Sequence, residues 1–480
     1  MTQLEGQFGR FGYTPRPIRL SELLSRLDDG ASGAYDGEAE RLIDLGDRLC
    51  SRLGDNSAVA RLGVRELRRL RDEDGADNFS TTGARRAWIL RSIKRPEEVT
   101  LLRHTYGDSL YVLALNSSYE ARLKYIAHQL RLSSPLLTEA DAESRATRLI
   151  DRDEREADQE YGQNVRDAFP MADVIFPGRN PELLRDSVRR FIELLFGGNL
   201  VPTAAEHAMY MAEGAAALSS VLGRKVGASI TTPQGEVVAV GANEVPKAGG
   251  GLYGALNAQA RAQELEGDYS ALSLRHLAAK TIDLLREQGW LSEEKGSMDR
   301  DELAQEVILL FKAEKSPLMD IIEYMSPVHA EMAALMEAAR RGVATLGTIL
   351  YTTTYPCHLC AKEIVAAGVQ SVVYIERYPK SRAQSMYGEE IGATAPGVGV
   401  GEVVSFSPFE GVTPSAYRRL FRSDTPQRKD QYGRVVASPE AERRPKVGNA
   451  AALVMARDEL EDEVIDPVLD PINLRDEGAP

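Results

Sequence analysis

Cysteine is almost absent, at three in 480 residues. That is too few for a disulfide framework, so a reducing cytosol is the expected compartment. Long apolar runs are missing as well, and none approaches the roughly 20 residues a membrane helix needs. The opening stretch MTQLEGQFGRFGYTPR has no apolar centre that would serve as a secretion signal. Nor is there an excess of positive charge. A formal net charge of −14 argues against broad nucleic-acid binding through charge alone. It leaves room for an anionic small molecule held by a few converging cations.

What is present describes an ordinary globular protein, 43% hydrophobic and 27% charged, long enough for two or three domains with real cores. Up to about residue 195, short apolar strands alternate with charged helices. PIRLSELLSRL reads as strand into helix. AWILRSI, RPEEVTLLRHTYG and SLYVLALN read as strand, helix, strand, a βαβ unit that implies a parallel sheet. ADVIFP supplies another buried strand. RATRLIDRDEREADQEYGQNVRDAF is helical and dense in both charge signs, a solvated face or an arginine-bearing lid over phosphates.

From about residue 200 the pattern changes. A helix over AAEHAMYMAEGAAALSSVLG leads to VGASITT and EVVAVGAN, joined by the turn PQG, which is a hairpin signature. A helical insertion follows at about 255–320, where Leu303, Val307, Leu310 and Phe311 share one helix face. Then the chain reads helix, strand, helix, strand. SPVHAEMAALMEAARRG opens with a serine cap and a proline at the first helical position and stops at Gly342. Pro356 opens a second helix that runs through two cysteines to Gly368. Beyond 440, residues 441–480 lose periodicity, are rich in acid and read as a mobile tail.

Both helices of this second half start with a proline and place a metal-ligating side chain in the first turn. His329 is near the start of one, Cys357 and Cys360 near the start of the other. Cysteines at i and i+3 share a helix face, and a helix N-terminus favours the thiolate a metal requires. One histidine and two cysteines leave a fourth tetrahedral position of Zn2+ open, the mark of a catalytic site. Glu331, two residues after His329, completes H-A-E followed by P-C-x-x-C, the signature of zinc-dependent nucleobase deaminases in which the glutamate moves protons. A thioredoxin-like redox pair needs no such partner. A structural zinc site would need a fourth ligand, and His358 points off the cysteine face.

Residues 202 to about 425 resemble the deoxycytidylate deaminase family. The family's V-G-A hairpin stretch appears as GRKVGASI, and its asparagine in GANEVPKAGG. The resemblance gives Asn243 contacts to sugar or base and places Arg224, Lys225 and Lys247 beside phosphates, although a cation beside a hairpin is an equally ordinary surface feature. VVYIERYPKS resembles the segment whose aromatic residue covers the nucleotide, which singles out Tyr378 and Lys380. VSFSPFEGVTPSAYRRLF reads as a closing element.

Over most of its length the chain is similar to bacterial anti-phage dCTP/dCMP deaminases. The similarity runs from FGYTPRPIRLSELL through SIKRPEEVTLLRHTYG and NEVPKAGGGLYG to FEGVTPSAYRRLF. It implies an α/β architecture: a P-loop kinase-like parallel sheet with helices over 1–195, then a cytidine deaminase-like three-layer α/β/α domain over 200–440. It further implies deamination of dCTP or dCMP that drains the deoxycytidine pool in antiviral defence, assembly as a dimer or hexamer, and restraint by a small RNA. One departure stands out. The G-x-x-x-x-G-K-[ST] loop of those relatives occurs nowhere in this sequence, and TQLEGQFGRFGY looks like the helix that would follow it, so no ATP hydrolysis is expected. Two other readings remain. A deaminase of bases within nucleic acid would want an electropositive groove, and a non-catalytic nucleotide or RNA sensor would have no use for Glu331.

Overall fold

The computed structural model describes residues 2–27, 37–73, 85–134, 136–154, 159–253, 269–314, 316, 327–392, 403–422, 429, 431–434, 439–440, 443–446 and 450–465. The chain forms two compact units, one of Met1–Pro202 with Glu410–Pro480 and one of Thr203–Phe409. No helix among the described residues is long and apolar enough to cross a membrane.

Unit one begins with α1 (Thr2–Arg10), β1 (Thr14–Arg19), α2 (Leu20–Arg26), α3 (Glu38–Leu53), α4 (Ala58–Glu73), β2 (Arg86–Arg91), α5 (Pro96–Tyr106) and β3 (Leu113–Asn116). It continues through α6 (Tyr119–Ser133), α7 (Glu139–Glu154), α8 (Val165–Ala168), β4 (Val174–Pro177) and α9 (Pro181–Leu195). The expected order of strand, helix and strand is there as β2, α5 and β3. Pro96 sits in the first turn of α5, and the Glu98 carboxylate reaches back to accept from the backbone N–H groups of Lys94 and Arg95, fixing the entry of the chain into the helix. The single parallel sheet is not there: among the described residues β1 pairs with β2 and β3 with β4, both parallel, as separate ladders. The charged segment forms α7, which turns Ala142, Ala146 and Ile150 inward. Its Arg152 is committed to Asp44 and Asp47 of α3, so the solvated-face reading fits better than a phosphate lid. Residues 155–158 of that segment lie outside the described residues.

Unit two runs α10 (Ala204–Ala216), β5 (Gly227–Thr231), β6 (Val237–Ala242), α11 (Tyr269–Glu287), α12 (Glu293–Ser297), α13 (Arg300–Ala313) and α14 (Ala330–Arg340). Then come β7 (Ile349–Thr354), α15 (His358–Ala366), β8 (Ser371–Glu376), α16 (Ala383–Met386), β9 (Ile391–Gly392) and β10 (Val404–Pro408). The sheet order is β6-β5-β7-β8-β10-β9. The β5–β6 hairpin is antiparallel, and β7, β8, β10 and β9 run parallel to one another.

Two glycines explain how helices reach both faces. Gly227 lies opposite Ala242, and Gly241 opposite Ala228, so the two glycines face opposite ways. A Cβ at Gly227 would stand 1.9 Å from the carbonyl oxygen of Ala212 in α10. A Cβ at Gly241 would stand 2.3 Å from the carbonyl oxygen of Ala330 in α14. Helix backbones therefore lie directly on the hairpin from either side, giving the three layers. On the α14 side, Ala228, Ile230, Leu350, Val372 and Phe406 form the sheet's share of the core.

The described part of the insertion, 269–314, is helical. Leu303 packs with Ala279 and Ile282, while Leu310 is 55% exposed, so the apolar stripe of α13 is core at one end only.

The chain then returns to unit one, contrary to the expected boundary at 440. β11 (Gly411–Val412) pairs antiparallel with β4. α17 (Pro414–Phe421) adds Ala416 and Leu420 to the core around Phe191 and Phe196. The acidic end is not a mobile tail over its described length. α18 (Ala450–Ile465) places Val464 in a core with Ala60, Val64 and Leu102, and its Glu461 is 0% exposed, bonded at 2.6 Å to Arg71 of α4. Acid there is matched by arginine across the helices. Residues 466–480 lie outside the described residues.

Gly241→Ala is expected to destabilise unit two by about 3 kcal/mol, since backbone and not a flexible side chain blocks the new methyl. Urea unfolding followed by circular dichroism measures this, and a change below about 1 kcal/mol would contradict the direct contact.

Candidate metal centre

α14 and α15 begin one residue after the side chains that matter. His329 is the N-cap of α14 and Cys357 the N-cap of α15, both in extended backbone. The expected helix starts lay farther upstream, at Ser326 and Pro356. The cap positions have a consequence for Cys357: its sulfur takes the role of a capping oxygen and accepts the Cys360 N–H at 3.5 Å. Glycines end both helices as expected, with φ of 71° at Gly342 and Gly368.

His329 Nδ1 lies 3.2 Å from Cys357 Sγ and 3.3 Å from Cys360 Sγ. All three donor atoms fall within 4.8 Å of one another, and among the described residues no other group of three or more His, Cys, Asp or Glu side chains is so placed. A tetrahedral zinc would hold an imidazole nitrogen and a thiolate sulfur about 3.6 Å apart, given its usual bond lengths. A few tenths of an ångström of opening therefore fit the ion. The third cysteine, Cys50, is buried in unit one, where desolvation pushes its thiol up to about 11.

The electrostatics suit metal binding. The Cys360 thiol, hydrogen-bonded to Cys357, holds the Cys357 sulfur down to about 4, with His329 helping. The same bond, together with burial, pushes the Cys360 thiol up. His329 is raised, first by its bond to Cys357. Glu331, in the first turn of α14, is 4% exposed. Burial pushes its carboxyl up to about 7, a value matched to proton transfer at neutral pH. His358 lies outside the three-donor group, and its buried Nδ1 makes no hydrogen bond.

Sheet topology gathers most of the other expected residues at one end. β5 runs antiparallel to β7, so its start lies beside the end of β7, which leads to Cys357. Gly227 N donates to Thr353 Oγ1 there. Asn243 is bonded to the neighbouring loop: its Oδ1 accepts from Val226 N at 2.7 Å and its Nδ2 donates to Arg224 O at 2.8 Å. It therefore shapes the Arg224–Lys225 loop. Arg224 is ion-paired at 2.9 Å with Glu376 at the end of β8, and Lys225 is exposed. Lys247 lies over the ring of Tyr253. Tyr378 is half-buried against the core on the α14 side and Lys380 is exposed.

Glu244 escaped the sequence reading. It is buried, its carboxylate accepts from Ser220 N and Val245 N, and its backbone exchanges both bridge bonds with Val328. That bridge holds the residue preceding His329. Its only sequence trace is its place directly after Asn243.

Residues 202–376 match the family model described as the cytidine and deoxycytidylate deaminase zinc-binding region. ComE operon protein 2 of Bacillus subtilis (strain 168) is 38% identical over 78 residues, 16% of this chain and 41% of that protein. The deoxycytidylate deaminase of Enterobacteria phage T2 is 42% identical over 55 residues, 12% of this chain and 29% of that protein. The chain thus spans less than half the length of these relatives. A crystal structure of the dCMP deaminase from cyanophage S-TIM5 in apo form is 18% identical, covering 44% of this chain and 100% of that one, at a TM-score of 0.23.

His329→Ala and Cys360→Ser are each expected to lower bound zinc from near one ion per chain to below about a tenth, with the fold retained. Mass spectrometry of the purified variants reads the metal, and full occupancy in either would exclude that side chain as a ligand.

Proposed function

We infer that the 202–376 segment, which belongs to the cytidine and deoxycytidylate deaminase family, hydrolyses the exocyclic amino group of a deoxycytidine nucleotide, dCMP or dCTP. The observation that carries this reading is a buried Glu331, its carboxyl pushed up to about 7 by burial, in the first turn of the helix capped by His329, whose ring lies against both cysteine sulfurs. A structural metal site needs the three donors but gains nothing from a carboxyl buried beside them.

When bound, zinc supplies a Lewis acid that activates water at neutral pH. Glu331 does the proton work. Its carboxylate oxygen takes a proton from the attacking water and passes it to the ring nitrogen next to the amino-bearing carbon; it then carries the remaining proton of the newly added hydroxyl to the amino group, which leaves as ammonia as the carbonyl forms. Water is consumed, and a uracil nucleotide and ammonia are formed. A carboxyl poised near neutrality serves in both directions, whereas one at the usual value near 4.5 would release its proton too readily.

Arg224, Lys225 and Lys247 bind the phosphates in this reading, with Arg224 leaving Glu376 for the stronger charge-assisted bond to phosphate. Tyr378 covers the nucleotide and Lys380 stands at its rim. Asn243 acts at one remove, by holding the Arg224–Lys225 loop in place. The anti-phage resemblance extends the proposal to a homo-oligomer that depletes the deoxycytidine pool under restraint by a small RNA, with unit one a P-loop kinase-like regulatory module that does not hydrolyse ATP.

Glu331→Gln should keep zinc and lose between about 10² and 10⁴-fold in kcat, the range that general acid–base groups contribute. The loss of cytosine absorbance from dCMP and dCTP measures it, and activity that survives would end the proton-shuttle role. Arg224→Ala should raise KM for the nucleotide about tenfold or more with kcat nearly unchanged, as for a lost bond to a charged group. An effect confined to kcat would remove Arg224 from the phosphates.

A further inference from the structure

A metal-bound histidine is usually aimed by its second ring nitrogen, which donates to a carboxylate, a carbonyl or water and so fixes the ring. His329 has no such protein partner: among the described residues, the hydrogen-bond contacts of its ring are those to the Cys357 and Cys360 sulfurs. Its direction must therefore come from the backbone. As the N-cap of α14 it sits in extended conformation, half outside the helix, so the chain that leads into it decides where the ring points.

That chain is held by Glu244. Val328 N donates to Glu244 O at 2.9 Å, and Glu244 N donates to Val328 O at 3.2 Å. Glu244 is in turn 2% exposed, and its two carboxylate oxygens accept from Ser220 N at 2.8 Å and Val245 N at 2.9 Å. A carboxylate is costly to bury, and here both oxygens are spent on backbone N–H groups. Three residues earlier, Gly241 brings the hairpin backbone against Ala330. Val328 and Ala330 are thus fixed on either side of His329, and one strand end does both. The same end holds the loop of Arg224 and Lys225 through Asn243.

We propose that Glu244 is the positioning residue of the His329 imidazole. Its carboxylate ties the end of the hairpin to the chain that follows α10, and its backbone carries that placement through Val328 to the ring. Glu244 stands outside the three-donor group and acts through His329. An apolar residue at this position could still make the two backbone bonds, but it would lose the tie to Ser220. The inference rests on the metal-centre reading above and names what gives its nitrogen ligand a direction.

Zinc affinity, measured by competition with a chromophoric chelator, tests this. Glu244→Ala should weaken it about 10–100-fold, the cost of losing a partner that orients a ligand. In the cobalt-substituted protein the visible absorption bands should shift, since they report ligand geometry. Ser229→Ala removes an equally buried bond, from Ser229 Oγ to Ala208 O at 2.7 Å, and should lower stability while leaving zinc affinity unchanged. In a His329→Ala background, Glu244→Ala should weaken the residual zinc binding no further. Glu244→Gln keeps one acceptor oxygen and should fall between wild type and Glu244→Ala; it carries the test where the alanine variant does not fold. Wild-type zinc affinity in either Glu244 variant overturns the proposal, and so does a further loss in the His329→Ala chain. An equal loss in Ser229→Ala would make the effect one of stability and overturn it too. A wild-type chain that takes no zinc overturns the metal centre itself, and this inference with it.

Discussion

Two helix starts must meet at one point, and the rest of unit two serves that constraint. A helix N-terminus offers unsatisfied N–H groups and a positive dipole end, so it stabilises thiolates and fixes the direction of the residue that caps it. His329 and Cys357 are both caps, which means their side chains leave the helix axes at the tips and not along the sides. α14 and α15 share one face of the sheet, and the parallel strands β7 and β8 aim the second of them. The caps converge because the sheet holds both helices, and the Gly241 contact lets α14 sit against the hairpin backbone with no side chain between.

The charge balance at that point follows from burial. The hydrogen bond between the Cys357 and Cys360 sulfurs lowers the first thiol and, together with burial, raises the second. Glu331 is held near neutrality mainly because it has lost water. It sits on the same helix turn that favours negative charge, yet desolvation wins, as it does whenever a carboxyl is buried without a full set of donors. Opening the site to bulk water would lower the carboxyl toward its ordinary value.

The meeting of His329, Cys357 and Cys360 was legible because the three lie in two short runs, each next to a proline and ended by a glycine. Strands β5 to β8 were legible for the same reason. What escaped depends on partners distant in the chain. Nothing in AWILRSI or SLYVLALN says that their strands pair with β1 and β4 and leave each other alone. Nothing in RDELEDEVI reveals that Glu461 will meet Arg71, so an acidic run reads as solvated. The helix starts were set too early because proline marks where a helix is allowed to begin, while the capping geometry decides where it does. Asn243 was found for its type, while its bonds to the Arg224 and Val226 backbone depend on a loop fold that the sequence does not reveal.

The division of the chain also constrains how it folds. Unit two is inserted into unit one, which is completed only by the chain beyond Glu410. β11 must pair with β4, and the Thr413 hydroxyl must reach Ala172 O at 2.7 Å. α18 must also bring Glu461 to Arg71 before the charge on either is compensated. All of these contacts close very long loops, whose entropy has to be overcome before they form. The metal centre closes a much shorter one, between α14 and α15, within a sheet whose neighbouring strands are mostly consecutive in sequence. Unit two can therefore reach its packed state while unit one still waits for its last strand and helices, and the zinc site matures independently of the elements that complete the larger fold.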